Sequence, residues 1–217
     1  MQTLKLMSRM ILTGLITVLA SLFFLVSVPN ADVIYDNITY NTTLGALTSV
    51  TRYDSFSTGP TAYSLTSVSV VLEGSPATGY TNVGLYSNAV SGVAPGALLL
   101  SLGTVPDADL ISSPSTPFVF TLAPPYPLPA DTRYWIGLVG FATTANWWTT
   151  PEASGQPGVS GEYNALQTTV TSNSTGSPYQ MEIDATSAAA AVPEPSLMVL
   201  LCISIMSVAG LRRWWKD

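Results

Sequence analysis

The stretch YSLTSVSVVL, residues 63–72, decides the fold. Thr66, Val68, Val70 and Leu72 fall on alternate positions, with Ser67, Ser69 and Val71 between them. A period of two places one set of side chains on a core and the other away from it, as in a β-strand. No convincing helical pattern competes with it along the body. The same pattern recurs on either side. Val83 and Leu85 carry it in TNVGLYS, and Leu98–Leu102 follows. Phe118, Phe120 and Leu122 carry it next, then Arg133–Val139 (RYWIGLV). Ala145–Thr149, Ala165–Thr171 and Tyr179–Ile183 complete the set, with one or two weaker strands before Tyr53.

Glycine and proline clusters punctuate these runs: Gly59-Pro60, Gly74-Ser75-Pro76, Pro95-Gly96, Pro124-Pro125 and residues 155–158. Many short strands at this spacing predict an all-β body, an antiparallel β-sandwich that is jelly-roll-like or immunoglobulin-like. No internal repeat is visible. The body spans residues 32–186, one domain's worth of chain and enough to enclose a core.

The body is acidic. It holds two bases, Arg52 and Arg133, and no lysine. Against them stand eleven acids: Asp32, Asp36, Asp54, Glu73, Asp107, Asp109, Asp131, Glu152, Glu162, Glu182 and Asp184. The body's balance is therefore −9, whereas the whole chain carries −6 because the other five bases lie at its ends. Such a surface repels nucleic acid and anionic lipid. It suits neutral glycans or divalent cations. The chain has no histidine, which excludes Ser-His and Cys-His catalysis and histidine-based zinc or haem sites. Its one cysteine, Cys202, lies near the C-terminus, so no intramolecular disulfide is possible.

The two ends differ from the body. Residues 1–31 read as a secretory signal: Lys5 and Arg9 open it, Met10–Val26 is apolar, and Pro29-Asn30-Ala31 closes it before a mature start near Asp32. Residues 187–191 form a linker of small residues. Val192-Pro193-Glu194-Pro195 comes next, then the apolar run Leu197–Leu211, then Arg212-Arg213-Trp214-Trp215-Lys216-Asp217. Fifteen apolar residues are short for a perpendicular span of roughly 20. Trp214 and Trp215 can extend it into the interface, and Arg212, Arg213 and Lys216 can snorkel to cytoplasmic headgroups. The expectation is a transmembrane helix over 197–211 with the body outside. The two prolines prevent helix at the motif and leave an extended stretch before the membrane.

Motif, helix and basic end together resemble the PEP-CTERM sorting domain of exported proteins in Gram-negative bacteria that make extracellular polysaccharide. The resemblance implies recognition by an exosortase, a membrane transpeptidase. Val192, Pro193, Glu194 and Pro195 would then be substrate residues. The body is similar to exported β-sandwich domains described as choice-of-anchor R. The matching stretches are ADVIYDN (31–37), YSLTSVSVVL (63–72), VGLYSNAVSGVAPG (83–96), LPADTRYWIGL (128–138) and NWWTT (146–150). That likeness implies fold and address and carries no chemistry.

Within the body, Trp147 and Trp148 are candidate glycan contacts, because indole faces stack on sugar rings. Neighbours in a strand point to opposite faces, so at least one of the two is expected in the core. Trp135, mid-strand, is read as packing. Asp107 and Asp109 are weak candidates for calcium, which wants six to eight oxygens. Solvated loop acids are the competing reading. Asp131-Thr132-Arg133 reads as a turn and an ion pair opening a strand. Asn37-Ile38-Thr39, Asn41-Thr42-Thr43 and Asn173-Ser174-Thr175 match the glycosylation pattern by chance and fit exposed segments. No two carboxylates are paired by spacing as a glycosidase couple requires.

The expectation is a non-enzymatic, exported cell-surface or matrix protein with a structural or adhesive role and no cofactor. Its partners would be Sec-type export machinery, an exosortase-like transpeptidase and the membrane through its tail, with extracellular polysaccharide as a further candidate. Two alternatives are a carbohydrate-binding module using exposed aromatic residues and a glycoside hydrolase or lyase.

Overall fold

The computed structural model describes residues 31–40, 43–48, 50–114, 116–150 and 158–188. The expected signal segment (1–31, save its last residue), the end of the linker and the segment 192–217 lie outside these residues. Among the described residues no helix is long and apolar enough to cross a membrane.

Among the described residues the body is all-β, with thirteen strands in antiparallel sheets. In chain order they are β1 (Asp32–Asp36), β2 (Thr43–Ala46), β3 (Thr51–Ser57), β4 (Tyr63–Val70) and β5 (Leu72–Glu73). β6 (Tyr80–Asn88), β7 (Pro95–Pro106), β8 (Phe118–Leu128) and β9 (Arg133–Phe141) follow. β10 (Asn146–Thr149), β11 (Tyr163–Leu166), β12 (Thr169–Ser172) and β13 (Met181–Ser187) complete the set. A four-stranded sheet runs β1-β13-β4-β8, and a six-stranded sheet runs β12-β11-β3-β9-β6-β7. A small third sheet, β2-β10-β5, joins them. One core cluster draws on both large sheets: Leu65, Val68, Val70, Met181 and Ile183 from the first, and Phe56, Val83, Leu85, Ile136 and Leu138 from the second. The arrangement is sandwich-like, with inward and outward residues alternating along most strands.

The opening stretch forms β4 and, beyond Val71, the start of β5 in the small sheet; its alternation breaks at Thr66 and again at Val70, Val71 and Leu72, which are all fully buried. Leu65 and Val68 are both fully buried, although three positions apart. The register of β4 slips at Thr66 against both neighbours, β13 and β8. Thr66 is the extra residue of a bulge, and its hydroxyl donates to the Asp184 carbonyl at 3.0 Å. The expected apolar face of Thr66, Val68, Val70 and Leu72 is therefore corrected: Leu65 replaces Thr66. On the other side, residues 122–125 of β8 bow out opposite this bulge. Pro124 and Pro125 thus lie inside a strand rather than between strands. They are tolerated because β8 is an edge strand, where a missing N–H costs no ladder bond.

The expected strand 165–171 is two strands, β11 and β12, paired from Tyr163↔Ser172 to Leu166↔Thr169. Gln167 makes the tight turn with φ +53°. No glycine marks this turn, which is why periodicity alone runs through it.

Candidate functional site

The sequence-nominated residues are largely interior. Trp147 is fully buried and Trp148 is 7% exposed. β10 is the middle strand of the small sheet, so both its edges are paired, and the burial of two successive indoles shows that both its faces are covered as well. Trp147 stacks on Tyr179 at 4.7 Å between centroids and donates its indole N–H to the Gln180 carbonyl at 2.9 Å. Trp148 meets the edge of Tyr40 at 6.4 Å, and its buried N–H has no acceptor among the described residues. Neither ring offers a free face to a sugar. Trp135 is fully buried, with its N–H on the Asn88 side-chain oxygen at 3.0 Å.

Asp107 is fully buried and braces a loop: it accepts from the Thr143 hydroxyl and from the Thr144 N–H at 2.8 Å. Asp109 is exposed. Among the described residues no group of three or more Cys, Asp or Glu is placed to hold a metal ion. Arg133 opens β9 as expected, but its ion pair is with Glu162 at 2.9 Å, not with Asp131. Its guanidinium also lies 5.0 Å from the Tyr163 ring centroid. Asn37 and Asn173 are fully buried, which corrects the expectation that those two glycosylation-like triplets sit in exposed segments. Asn41, Pro193-Glu194-Pro195, Val192, Arg212, Arg213 and Lys216 lie outside the described residues.

Asn37 and Asn173 belong to a polar lock between the two large sheets. Asp54 of β3 points inward and is fully buried. It accepts from the Asn173 amide at 2.9 Å, the Tyr179 N–H at 2.6 Å and the Tyr35 hydroxyl at 3.4 Å. Asn37 donates to the Tyr179 carbonyl at 3.0 Å and accepts from the Met181 N–H at 2.7 Å. Burial pushes the Asp54 carboxyl well above the usual carboxylate range, against the opposing pull of Asn173 and Tyr179. Burial, then the Asp54 charge, raises the Tyr35 phenol. This cluster joins β1, β3 and the segment before β13, and its donors and acceptors are used on one another. It ties the two large sheets together.

The outward side of the six-stranded sheet is different. Residues Tyr134, Ile136 and Leu138 of β9 enter the core, so Gly137, Val139 and Phe141 face away from it. Register places Tyr53 and Gly84 on either side of Gly137, Thr51 and Asn82 beside Val139, and Tyr80 beside Phe141. Gly137 is required here. A Cβ on it would come within 2.6 Å of ring carbons of both Tyr53 and Tyr86. Those two rings meet edge to face at 5.2 Å over this glycine floor. Rings covering strand glycines restore the packing that a missing side chain removes. Farther along, Tyr80 and Phe141 stack at 5.0 Å with planes 20° apart, and remain 40% and 44% exposed. Between the two ring pairs the Thr104 hydroxyl donates to the Asn82 side-chain oxygen at 2.7 Å. The sequence carried a signal for this face, since Tyr80, Asn82, Gly84 and Tyr86 alternate along β6. Its meaning depends on the register with β3 and β9.

The four-stranded sheet presents acids outward instead. Asp36 stands directly opposite Glu182, and Asp184 lies on the same strand and face. Burial first, then Asp184 and Asp36, raises the Glu182 carboxyl.

Compared with family models and with curated proteins, the chain matches none.

Proposed function

We propose that the protein is exported to the cell envelope or extracellular matrix of a Gram-negative bacterium and serves there in a structural or adhesive role, without catalysis. Its body is read as a single jelly-roll-like or immunoglobulin-like sandwich. Residues 1–31 act as a signal for Sec-type export. Residues 192–217 act as a PEP-CTERM tail that holds the chain, at least transiently, in the inner membrane for an exosortase-like transpeptidase.

The observation that carries this reading is the join between an acidic all-β body and that tail: a Pro-Glu-Pro motif, an apolar run and a basic end. The use of the buried acids supports the non-catalytic part. Asp54, Asp107 and Glu162 are each engaged by donors that brace strands and loops. A glycosidase needs two carboxyls facing one another across a substrate; Asp54 and Glu162 lie near enough to feel one another's charge, but each is held by buried donors of the protein itself.

Intact mass of the protein recovered by fraction from its host tests the reading. A species starting near Asp32 and ending near Pro193-Glu194-Pro195, found outside the inner membrane, is the expected result. A full-length species confined to the cytoplasm would contradict it.

A further inference from the structure

We infer that the outward face of the six-stranded sheet is a binding platform for an uncharged polysaccharide, with the Tyr80–Phe141 stack as its main contact. The inference deepens the adhesive reading above and rests on it.

Three properties of the face point to that ligand. The first is exposed aromatic surface held rigid. Tyr80 and Phe141 sit on paired strand positions and stack nearly parallel at 5.0 Å, so their exposed faces lose little freedom when a sugar ring is laid on them. The second is spacing. The Tyr53–Tyr86 pair over Gly137 lies four residues along β9 from Phe141, about 13 Å at the rise of a strand. That length accommodates several sugar rings of one chain, whereas a small solute needs only one contact. The third is charge. The outward-facing positions Gly137, Val139 and Phe141 have the register partners Tyr53, Gly84, Thr51, Asn82 and Tyr80, none an acid or base, while Arg52 pairs with the inward Leu138; Asn82 and Thr104 offer only amide and hydroxyl groups between the ring pairs.

The rest of the body selects against the charged alternatives. With two bases against eleven acids, it repels a polyanion at range. Both bases are also engaged: Arg133 pairs with Glu162, and Arg52 donates to the Ala46 carbonyl at 2.7 Å and to the Tyr179 hydroxyl. A polycation would settle on the opposite sheet, beside Asp36, Glu182 and Asp184. A neutral polymer with apolar C–H faces and many hydroxyls complements what remains.

The test is affinity electrophoresis of the full chain in gels containing hydroxyethyl cellulose, laminarin, dextran or galactomannan, with alginate as the polyanion. Retardation by at least one neutral polymer and none by alginate is expected. Tyr80→Ala/Phe141→Ala should weaken that retardation fivefold or more. Val119→Ala, an exposed apolar residue on the other sheet, should leave it unchanged. Circular dichroism of the variants confirms that each is folded. No retardation in any neutral gel, equal retardation of the double variant, or retardation by alginate alone would overturn the inference. So would sedimentation showing that the double variant turns a dimer into a monomer, because a second copy would then be the occupant. Failure here with export established by intact mass would leave the adhesive reading standing and remove only this platform.

Discussion

The outward faces of the two large sheets in this sandwich-like body are built from the same kind of strand and end up chemically opposite. On the four-stranded sheet, Asp36 and Glu182 oppose each other across β1 and β13 with Asp184 beside them. On the six-stranded sheet, one ring pair covers a glycine floor and a second lies farther along the strands, with neutral polar groups between them. Like charges directly opposite in a ladder cost stability. The four-stranded sheet tolerates that cost because its inner side is anchored by Leu65, Val68, Ile183 and the Asp54 lock. The lesson is that stability in this protein is concentrated between the sheets. The outer faces are consequently free to differ, one acidic, the other aromatic and without charge at its outward positions from Gly137 to Phe141.

That division can be broken most severely from inside. Leu138 lies on β9 next to Val139 but points into the core. Leu138→Ala is expected to lower the unfolding free energy by about 2–5 kcal/mol, read from urea unfolding. If it cost no more than an outward substitution on the same strand, stability would not be concentrated between the sheets.

Asp54→Asn comes next. It keeps the shape of the lock but points an amide at a donor, and is expected to cost about 1–3 kcal/mol near the pH where Asp54 is protonated. The pH dependence has a definite sign. The folded-state carboxyl is raised above its unfolded value, so its contribution is fully present below the ordinary Asp range and is lost as pH rises through the folded value. The wild-type protein should therefore lose stability over that rise, and Asp54→Asn should flatten the loss. Thermal melts at a series of pH values measure both.

Glu182→Gln sharpens the contrast between the faces. Removing one of two opposed charges should stabilise the protein at neutral pH by roughly 0.2–1 kcal/mol. Glu182 is also raised in the folded state, so the gain should vanish once acid has protonated the wild-type side chain. Melting temperatures of the pair at neutral and acid pH decide it.

The smallest stability effect is expected for Phe141→Ala. An exposed ring at the end of a strand should change unfolding free energy by about 0.5 kcal/mol or less, while its effect on polymer retention is large. A destabilisation comparable to that of Leu138→Ala would show that the ring serves the core instead.

Much of the fold was legible in the sequence because period two survives in short windows. YSLTSVSVVL and RYWIGLV both form strands where the pattern places them. The breaks were not legible, since a bulge at Thr66 and a left-handed Gln167 leave no glycine or proline as a marker. The site was less legible still. Adjacent tryptophans in a strand suggest that one faces solvent, yet β10 is covered on both sides and takes in Trp147 and Trp148 together. The Asp54 lock depends on three segments far apart in the chain, and the aromatic face depends on the register of β3, β9 and β6. Neither is a local property of sequence.

Hydroxyl-radical footprinting of the full chain, with and without the neutral polymer that retards it, tests the central claim most directly. The account expects oxidation of Tyr80 and Phe141 to fall on adding the polymer, while Val119 on the opposite sheet and the core residue Leu138 keep their rates. Protection of Val119, or of no residue on the six-stranded face, would contradict it.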